Sequence, residues 1–357
     1  MTAVLAGPGR AGLVGIGMIG GSLAWALKSK GWHVTGHDLD EGSCAVAMNR
    51  GFIDAVGIDS SADITFIATP VSSIADEARA VLARGQGYVT DVGSVKQPIV
   101  EAIDSPRFVG GHPMAGSELG GLDGANAQLF EGATWVLTPT STTDDDAYFF
   151  VREVVSSLGA IVLTLDAAQH DGIVATISHI PHLAAASLMN LVMQKGRDLE
   201  PALRLAAGGF RDMTRVAAGP PALWADITLS NREAIVEGLD DLCATLGSLR
   251  QSLATGDLDE LKAFLDNASH ARDELPTRQG RPTALATLMV QVADRPGAIQ
   301  EVLDALGSER VNVEDLEINH GLDGRKGTLV VTVARSKVDV ATAQLRSRNL
   351  SVTTQEL

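Results

Sequence analysis

Cysteine is nearly absent from this chain: Cys44 and Cys243 are the only two. They lie far apart and neither has a partner at metal-ligand spacing, so the sequence supports neither a disulfide framework nor a thiolate zinc site. Two ordinary thiols in a reducing compartment are expected. Basic residues are also scarce. The 28 lysines and arginines face 44 aspartates and glutamates, giving a net charge of −16 and a pI near 4.8. Such a surface repels nucleic acid and anionic membranes. Any anion that binds therefore needs a local basic pocket. No uninterrupted apolar run reaches the roughly 18 residues of a membrane span. Residues Met1 to Arg10 lack a basic start followed by an apolar core. The chain reads as a soluble, cytoplasmic protein with no membrane or nucleic-acid partner.

What is present suggests more than one domain, since 357 residues exceed one ordinary core. From Ala11 to Leu165 short apolar segments alternate with helix-length amphipathic ones. The strand candidates are Gly12 to Ile16, His33 to His37, Asp63 to Ala68, Gly87 to Thr90, Thr134 to Thr138 and Ala160 to Leu165. Strands spaced by helices predict an α/β, Rossmann-like, doubly wound parallel sheet over 1–166. After Asp166 strand signals stop. Apolar positions such as Ala184, Leu188, Leu191 and Val192, and later Ile235, Leu239, Leu242 and Leu246, recur at helical spacing. An all-α substrate and dimerisation domain is expected over 167–276, and helices this long and apolar suggest a homodimer, the alternative being simple packing within the chain. The polar stretch Arg272 to Pro282, twice interrupted by proline, reads as a linker. A small α+β unit of βαββαβ order is expected over 283–357.

Gly15-Ile16-Gly17-Met18-Ile19-Gly20 follows the first strand and opens a helix. In that setting the first glycine makes the turn, the second lets backbone approach a pyrophosphate, and the third lets helix pack on strand. The phosphates would lie at the positive helix N-terminus. Asp38, at the end of the second strand, would accept hydrogen bonds from a ribose and repel a 2′-phosphate, so NAD is expected over NADP. In Asp91-Val92-Gly93-Ser94-Val95-Lys96, Ser94 stands at the carboxyl end of a strand, where such folds place ligands. It either orients a nearby imidazole or caps the next helix, and Lys96 could offer charge to an anion. His112 lies in Gly111-His112-Pro113-Met114-Ala115-Gly116-Ser117-Glu118, followed by His170, His179 and His182. His179 and His182 are spaced to share a helix face. With His170 and Asp171 they also raise a metal-site reading, ranked lower because no further carboxylate pattern completes a shell. Arg211 and Arg215, four apart, are a candidate carboxylate clamp in an acidic chain, or pair with Asp212 or a surface glutamate.

Together these motifs resemble the prephenate and arogenate dehydrogenases of tyrosine biosynthesis, from about Leu13 to about Ile235. The carriers are the nucleotide loop, Asp91 to Lys96, Gly111 to Glu118, His170-Asp171 with Ser178-His179-Ile180-Pro181-His182, and Gly208 to Arg215 with Trp224. The tail from Thr283, with Asp294-Arg295-Pro296-Gly297, is similar to ACT domains, which commonly bind an amino-acid effector. The resemblance implies NAD-dependent oxidative decarboxylation of prephenate to 4-hydroxyphenylpyruvate. It implies that neutral His112 takes the substrate hydroxyl proton while Ser94 holds its ring. Arg215, His182, Ser117, Glu118, His179, Ser178 and Arg211 form the implied substrate set, with Asp171 and Trp224 at the pocket entrance. Arg211 stands where some relatives have lysine. The implied cofactor set is Gly15, Gly17, Met18, Ile19, Gly20, Asp38 and Thr69, with no metal, and tyrosine is the effector expected at the tail.

Arogenate is the alternative substrate: the pair His179 and His182 favours prephenate, whereas Glu118 would suit an ammonium group. A 3-hydroxyacid or 6-phosphogluconate type of dehydrogenase would use a lysine in the helical domain, and Lys195 is the only one between Lys96 and Lys262. A non-enzymatic sensor binding NAD and an amino acid would tolerate loss of His112.

Overall fold

The run Ala11–Val14 is buried along its whole length, as a strand covered on both faces must be, and it lies inside an eight-stranded sheet. The computed structural model describes residues 8–116, 120–194, 208–273, 285–293, 295–320, 326–348 and 350–356. Two compact units divide between Ala244 and Thr245. In the first unit the strands are β1 (Arg10–Val14), β2 (His33–His37), β3 (Ala55–Val56), β4 (Ile64–Ile67), β5 (Tyr88–Asp91), β6 (Phe108–Pro113), β7 (Thr134–Thr138) and β8 (Ile161–Thr164). Their order is β3-β2-β1-β4-β5-β6-β7-β8. Pairing is parallel from β3 through β6, while β7 runs antiparallel to β6 and carries β8 parallel beside it. The helices among these strands are α1 (Met18–Ser29), α2 (Glu41–Asn49), α3 (Val71–Arg84), α4 (Gln97–Ala102) and α5 (Asp145–Ser157). The order reverses between β1 and β4, and the carboxyl ends of strands at such a switch point form the crevice where this architecture binds ligands.

The helical segment begins with α6 (Ala167–Val174), whose N-cap Asp166 accepts from the Ala168 and Gln169 N–H groups. A π turn over Ala175–His179 leads into α7 (Ile180–Gln194). Pro181 explains the turn, because proline lacks an N–H and its ring crowds the carbonyl four residues back, which a wider turn relieves. Ala167–Gln194 is one continuous helix of 28 residues, long and apolar enough by length and composition to cross a membrane. No uninterrupted apolar run marks it in the sequence, because His170, Asp171, His179 and His182 break it. All four are buried, so this face is built into protein. Next come α8 (Gly208–Thr214), a 3₁₀ turn at Arg215–Ala218, α9 (Pro221–Ser230), α10 (Arg232–Thr255) and α11 (Leu258–Asp273).

The second unit continues with β9 (Leu285–Ala293), α12 (Ala298–Ser308), β10 (Val313–His320), β11 (Lys326–Ala334), α13 (Val338–Ser347) and β12 (Ser351–Glu356). This is the βαββαβ order, in an antiparallel sheet β10-β11-β9-β12. Leu288, Val290, Leu329, Val331 and Val333 on the strands bury against Val302, Leu306 and Leu345 on the helices. The expected linker beyond Asp273, and Asp294 of the expected turn, lie outside the described residues.

One buried contact fixes the part of the sheet that matters most. Lys96, expected to offer charge to an anion, is fully buried and paired with equally buried Asp91. Lys96 Nζ also donates to the Gly111 carbonyl at 2.7 Å. Asp91 accepts from the Gly93 N–H at 2.8 Å and from the Gly111 N–H at 3.2 Å. Burial pushes the Asp91 carboxyl up and the Lys96 ammonium down, and each charge opposes the shift in the other. Removing one partner leaves the other charged and unpaired in the core. Lys96→Met is therefore expected to lower the unfolding free energy by about 3–5 kcal/mol in urea titration. A loss under about 1 kcal/mol would place this pair with weak surface contacts.

Candidate active site

The nucleotide loop has the shape its sequence predicts. Gly15 adopts φ +95°, and a Cβ there would collide with the Ala68 carbonyl. A Cβ on Gly20 would collide with the Gly15 carbonyl, whereas a Cβ on Gly17 would meet nothing within 4 Å. The open approach at Gly17 is what a pyrophosphate needs. No side chain caps the N-terminus of α1, so its amides stay available to an anion. Asp38 Oδ2 accepts from the Ile16 N–H at 2.6 Å and Oδ1 from the Asp40 N–H at 2.8 Å, which fixes the carboxylate at the end of β2. Thr69 Oγ1, just beyond β4, is buried with no hydrogen-bond partner among the described residues, as a group reserved for a ligand would be. These residues fit a dinucleotide.

His112 stands near the end of β6, two strands from the switch point. Both backbone groups of Gly111 are tied to the Lys96–Asp91 pair, and a Cβ on Gly111 would lie 2.6 Å from the Asp91 carbonyl. Only glycine lets β6 approach β5 so closely. His112 is 9% exposed, and its Nδ1 lies 2.8 Å from His170 Nε2. Burial, then the neighbouring His170, Lys96 and His179, hold its pKa well below the ordinary value. It is a neutral imidazole at pH 7.

His170 and Asp171 reach this place from the middle of α6. His170 Nδ1 lies 2.7 Å from Asp171 Oδ1. Asp171 was expected at a pocket entrance; it is buried instead, and its carboxylate accepts from the Lys96 and Gln97 N–H groups at 2.7 and 2.8 Å. The correction has a physical reason: α4 begins at Gln97, and Asp171 satisfies the orphan amides there. Ser94, expected to hold the His112 ring, is half-buried in the loop between β5 and α4. Among the described residues no hydrogen bond joins it to His112, and His170 fills that position.

The buried Asn231, between α9 and α10, donates through Nδ2 to the Asp171 carbonyl at 2.9 Å and contacts His179 Nδ1 at 3.1 Å. Burial pulls the His179 pKa down to about 4, so it too is neutral at pH 7. His182 stacks on Trp224 with ring centroids 3.5 Å apart, and its buried Nδ1 has no hydrogen-bond partner among the described residues. His179 meets the same Trp224 edge-on. Trp224 is half-buried on α9, and Ser178 is half-buried in the π turn. Arg211 and Arg215 are both exposed. Arg211 lies within α8, which ends at Thr214, while Arg215 opens the 3₁₀ turn, so one α-helix does not carry both. That 3₁₀ turn and α8 both pack on α7. Ser117 and Glu118 lie outside the described residues. Sequence reasoning missed Asp91 and Asn231 and gave His170 no separate role. Neither Asp91 nor Asn231 belongs to a periodic pattern, and only their burial reveals them.

Comparison with known proteins agrees with this arrangement. Residues 23–164 match the family model "Prephenate dehydrogenase, nucleotide-binding domain" and residues 166–267 match "Prephenate dehydrogenase, dimerization domain". The chain is 35% identical to a prephenate dehydrogenase of Bacillus subtilis over 90% of this chain and 91% of that one. It is 33% identical to a cyclohexadienyl dehydrogenase of Zymomonas mobilis over 74% of this chain and 95% of that one. Among solved structures it is similar to prephenate dehydrogenase from Aquifex aeolicus in complex with hydroxyphenyl propionate and NAD+. There the TM-score is 0.71 at 29% identity, covering 75% of this chain and 99% of that one. Arogenate dehydrogenase from Synechocystis gives a TM-score of 0.65 at 34% identity, covering 74% and 99%. With a dinucleotide loop, a neutral buried histidine near the end of β6 in the same sheet and both family models matched in order, the chain belongs to the prephenate dehydrogenase family and is an NAD-dependent dehydrogenase.

Proposed function

We propose that this chain oxidises and decarboxylates prephenate to 4-hydroxyphenylpyruvate, with His112 as the base. The observation that carries the reading is His112 itself: buried, neutral at pH 7 and held near the end of β6, in the sheet that carries the nucleotide loop. NAD at that loop supplies the hydride acceptor, and Asp38 favours it over NADP by opposing a 2′-phosphate. His112 takes the proton of the substrate hydroxyl as the carbon beneath it is oxidised. The ring carboxylate then leaves as carbon dioxide, and the electron pair of the breaking carbon–carbon bond makes the ring aromatic. The resulting phenolate oxygen takes the proton back from His112. Arg215 binds a substrate carboxylate, while His179 and His182, with Ser178, Arg211 and Trp224, shape the pocket around the side chain.

Neutral imidazoles at His179 and His182 suit the keto side chain of prephenate. Arogenate, with a protonated amine in that position, is the second reading, favoured by the likeness to the Synechocystis enzyme. The helical segment is proposed to form a homodimer, supported by the dimerization-domain match and by exposed apolar residues on α10 and α11 such as Val236, Leu246, Leu253 and Leu265. The βαββαβ unit is proposed as an ACT-like effector domain that binds tyrosine. Free thiols at Cys44 and Cys243 suit a cytoplasmic setting.

Three outcomes are expected. His112→Asn keeps NAD affinity but loses more than about 10²-fold in kcat with prephenate; near wild-type turnover would remove the base. Arg215→Ala raises the KM for prephenate by about tenfold or more, as loss of a charge-assisted contact implies, and an unchanged KM would remove the clamp. Tyrosine inhibits the full chain, and truncation after Thr277 abolishes that inhibition. Equal inhibition of the truncated chain would place tyrosine in the active site instead.

A further inference from the structure

Three side chains stand in line behind the reacting face, and their hydrogen bonds decide which nitrogen of His112 is free. Asp171 Oδ1 faces the Lys96 N–H and Oδ2 the Gln97 N–H. Both neighbours are donors, so Asp171 serves them as an acceptor-only carboxylate. His170 Nδ1, 2.7 Å from the same Oδ1, is then the nitrogen that carries hydrogen. With His170 as the neutral imidazole its other nitrogen is an acceptor, and Nε2 then accepts. Facing it at 2.8 Å, His112 Nδ1 must donate. What is left on His112 is Nε2 with its lone pair. The rings meet at an interplanar angle of 82°, and His170 is 1% exposed, so no water competes for the contact. Asn231 anchors the Asp171 backbone from the far side.

We propose that His170, itself held by Asp171, is a positioning residue that fixes His112 as the Nδ1–H tautomer and so makes Nε2 the atom that accepts the substrate proton. The proposal rests on His112 being the base. When Nε2 takes the hydroxyl proton, the new imidazolium still donates from Nδ1 to His170 Nε2, and His170 Nδ1 still donates to Asp171. The proton travels no further than Nε2, and it returns to the phenolate oxygen after carbon dioxide leaves. The Asp171 carboxylate stabilises the transient cation through one intervening ring, as a buried carboxylate does for the histidine of a hydrolase triad. A tautomer with hydrogen on Nε2 has no lone pair there and is inert as a base.

The test is ¹⁵N NMR of the full-length chain labelled on histidine, with the His112 signals assigned by their loss in His112→Asn. The expected spectrum has His112 protonated on Nδ1 and bare on Nε2 at neutral pH. His170→Phe should release that preference and lower kcat by about 10²–10⁴-fold, the range a lost tautomer costs in a triad, with the KM for prephenate little changed. His170→Gln, whose Oε1 keeps an acceptor near the original Nε2, should restore the Nδ1–H spectrum and much of the turnover. The wild-type spectrum decides the matter even where His170→Phe does not fold. A wild-type His112 protonated on Nε2, or a folded His170→Phe chain with wild-type kcat, overturns the proposal. An active His112→Asn chain would remove the base and the proposal together, whereas an Nε2-protonated His112 in a chain that His112→Asn inactivates removes the proposal alone.

Discussion

The buried pair of Lys96 and Asp91 is the constraint on which the reacting centre depends. Taking two charges out of water is costly, and a hydrophobic pair of equal volume often serves stability as well or better. What the pair contributes is position. Between them the two side chains hold the N–H and the carbonyl of Gly111, so His112, the next residue, starts from a backbone with no freedom. The ammonium of Lys96 is also one of the groups that oppose protonation of His112. One contact thus places the base and helps keep it neutral.

Other tethers bring distant parts of the chain to this point. Asp171 joins the start of α4 to α6, Asn231 joins α6 to the junction of α9 and α10, and Asp226 on α9 accepts from the Ser72 N–H at the start of α3 at 3.3 Å. The Asp171 and Asp226 carboxylates satisfy backbone amides that helix starts leave open, and Asn231 adds a second donor to a carbonyl of α6. The helical segment is therefore bound to the nucleotide-binding sheet by polar contacts made at the site itself. Geometry at His112 and cohesion between these parts rest on the same residues.

The nucleotide loop and most strands are legible because they follow strong local rules: glycines at fixed offsets after an apolar strand, and period-driven helices. Strand β6 is not legible. Its stretch is missing from the strand candidates because Gly110, Gly111 and Pro113 interrupt the apolar pattern, yet Gly110 and Gly111 are needed because Thr138 and Asp91 crowd against them. Ser94 was expected beside His112 on the strength of resemblance, and the structure puts His170 there, because pairing between residues 58 apart in sequence is set by packing. Asp171 likewise carries no sign in the sequence of its three partners, the Lys96 and Gln97 amides and His170. Lys96 shows the same limit, since nothing in the sequence distinguishes a fully buried lysine from a solvated one.

The pH dependence of kcat/KM for prephenate, at saturating NAD, tests the central claim most directly. His112 must be neutral to accept a proton, and burial with its neighbours depresses its pKa, so activity is present above that lowered pKa and lost as pH falls through it. The account predicts an acid limb with its midpoint well below the ordinary histidine value. A midpoint at or above about 6.5 would contradict it.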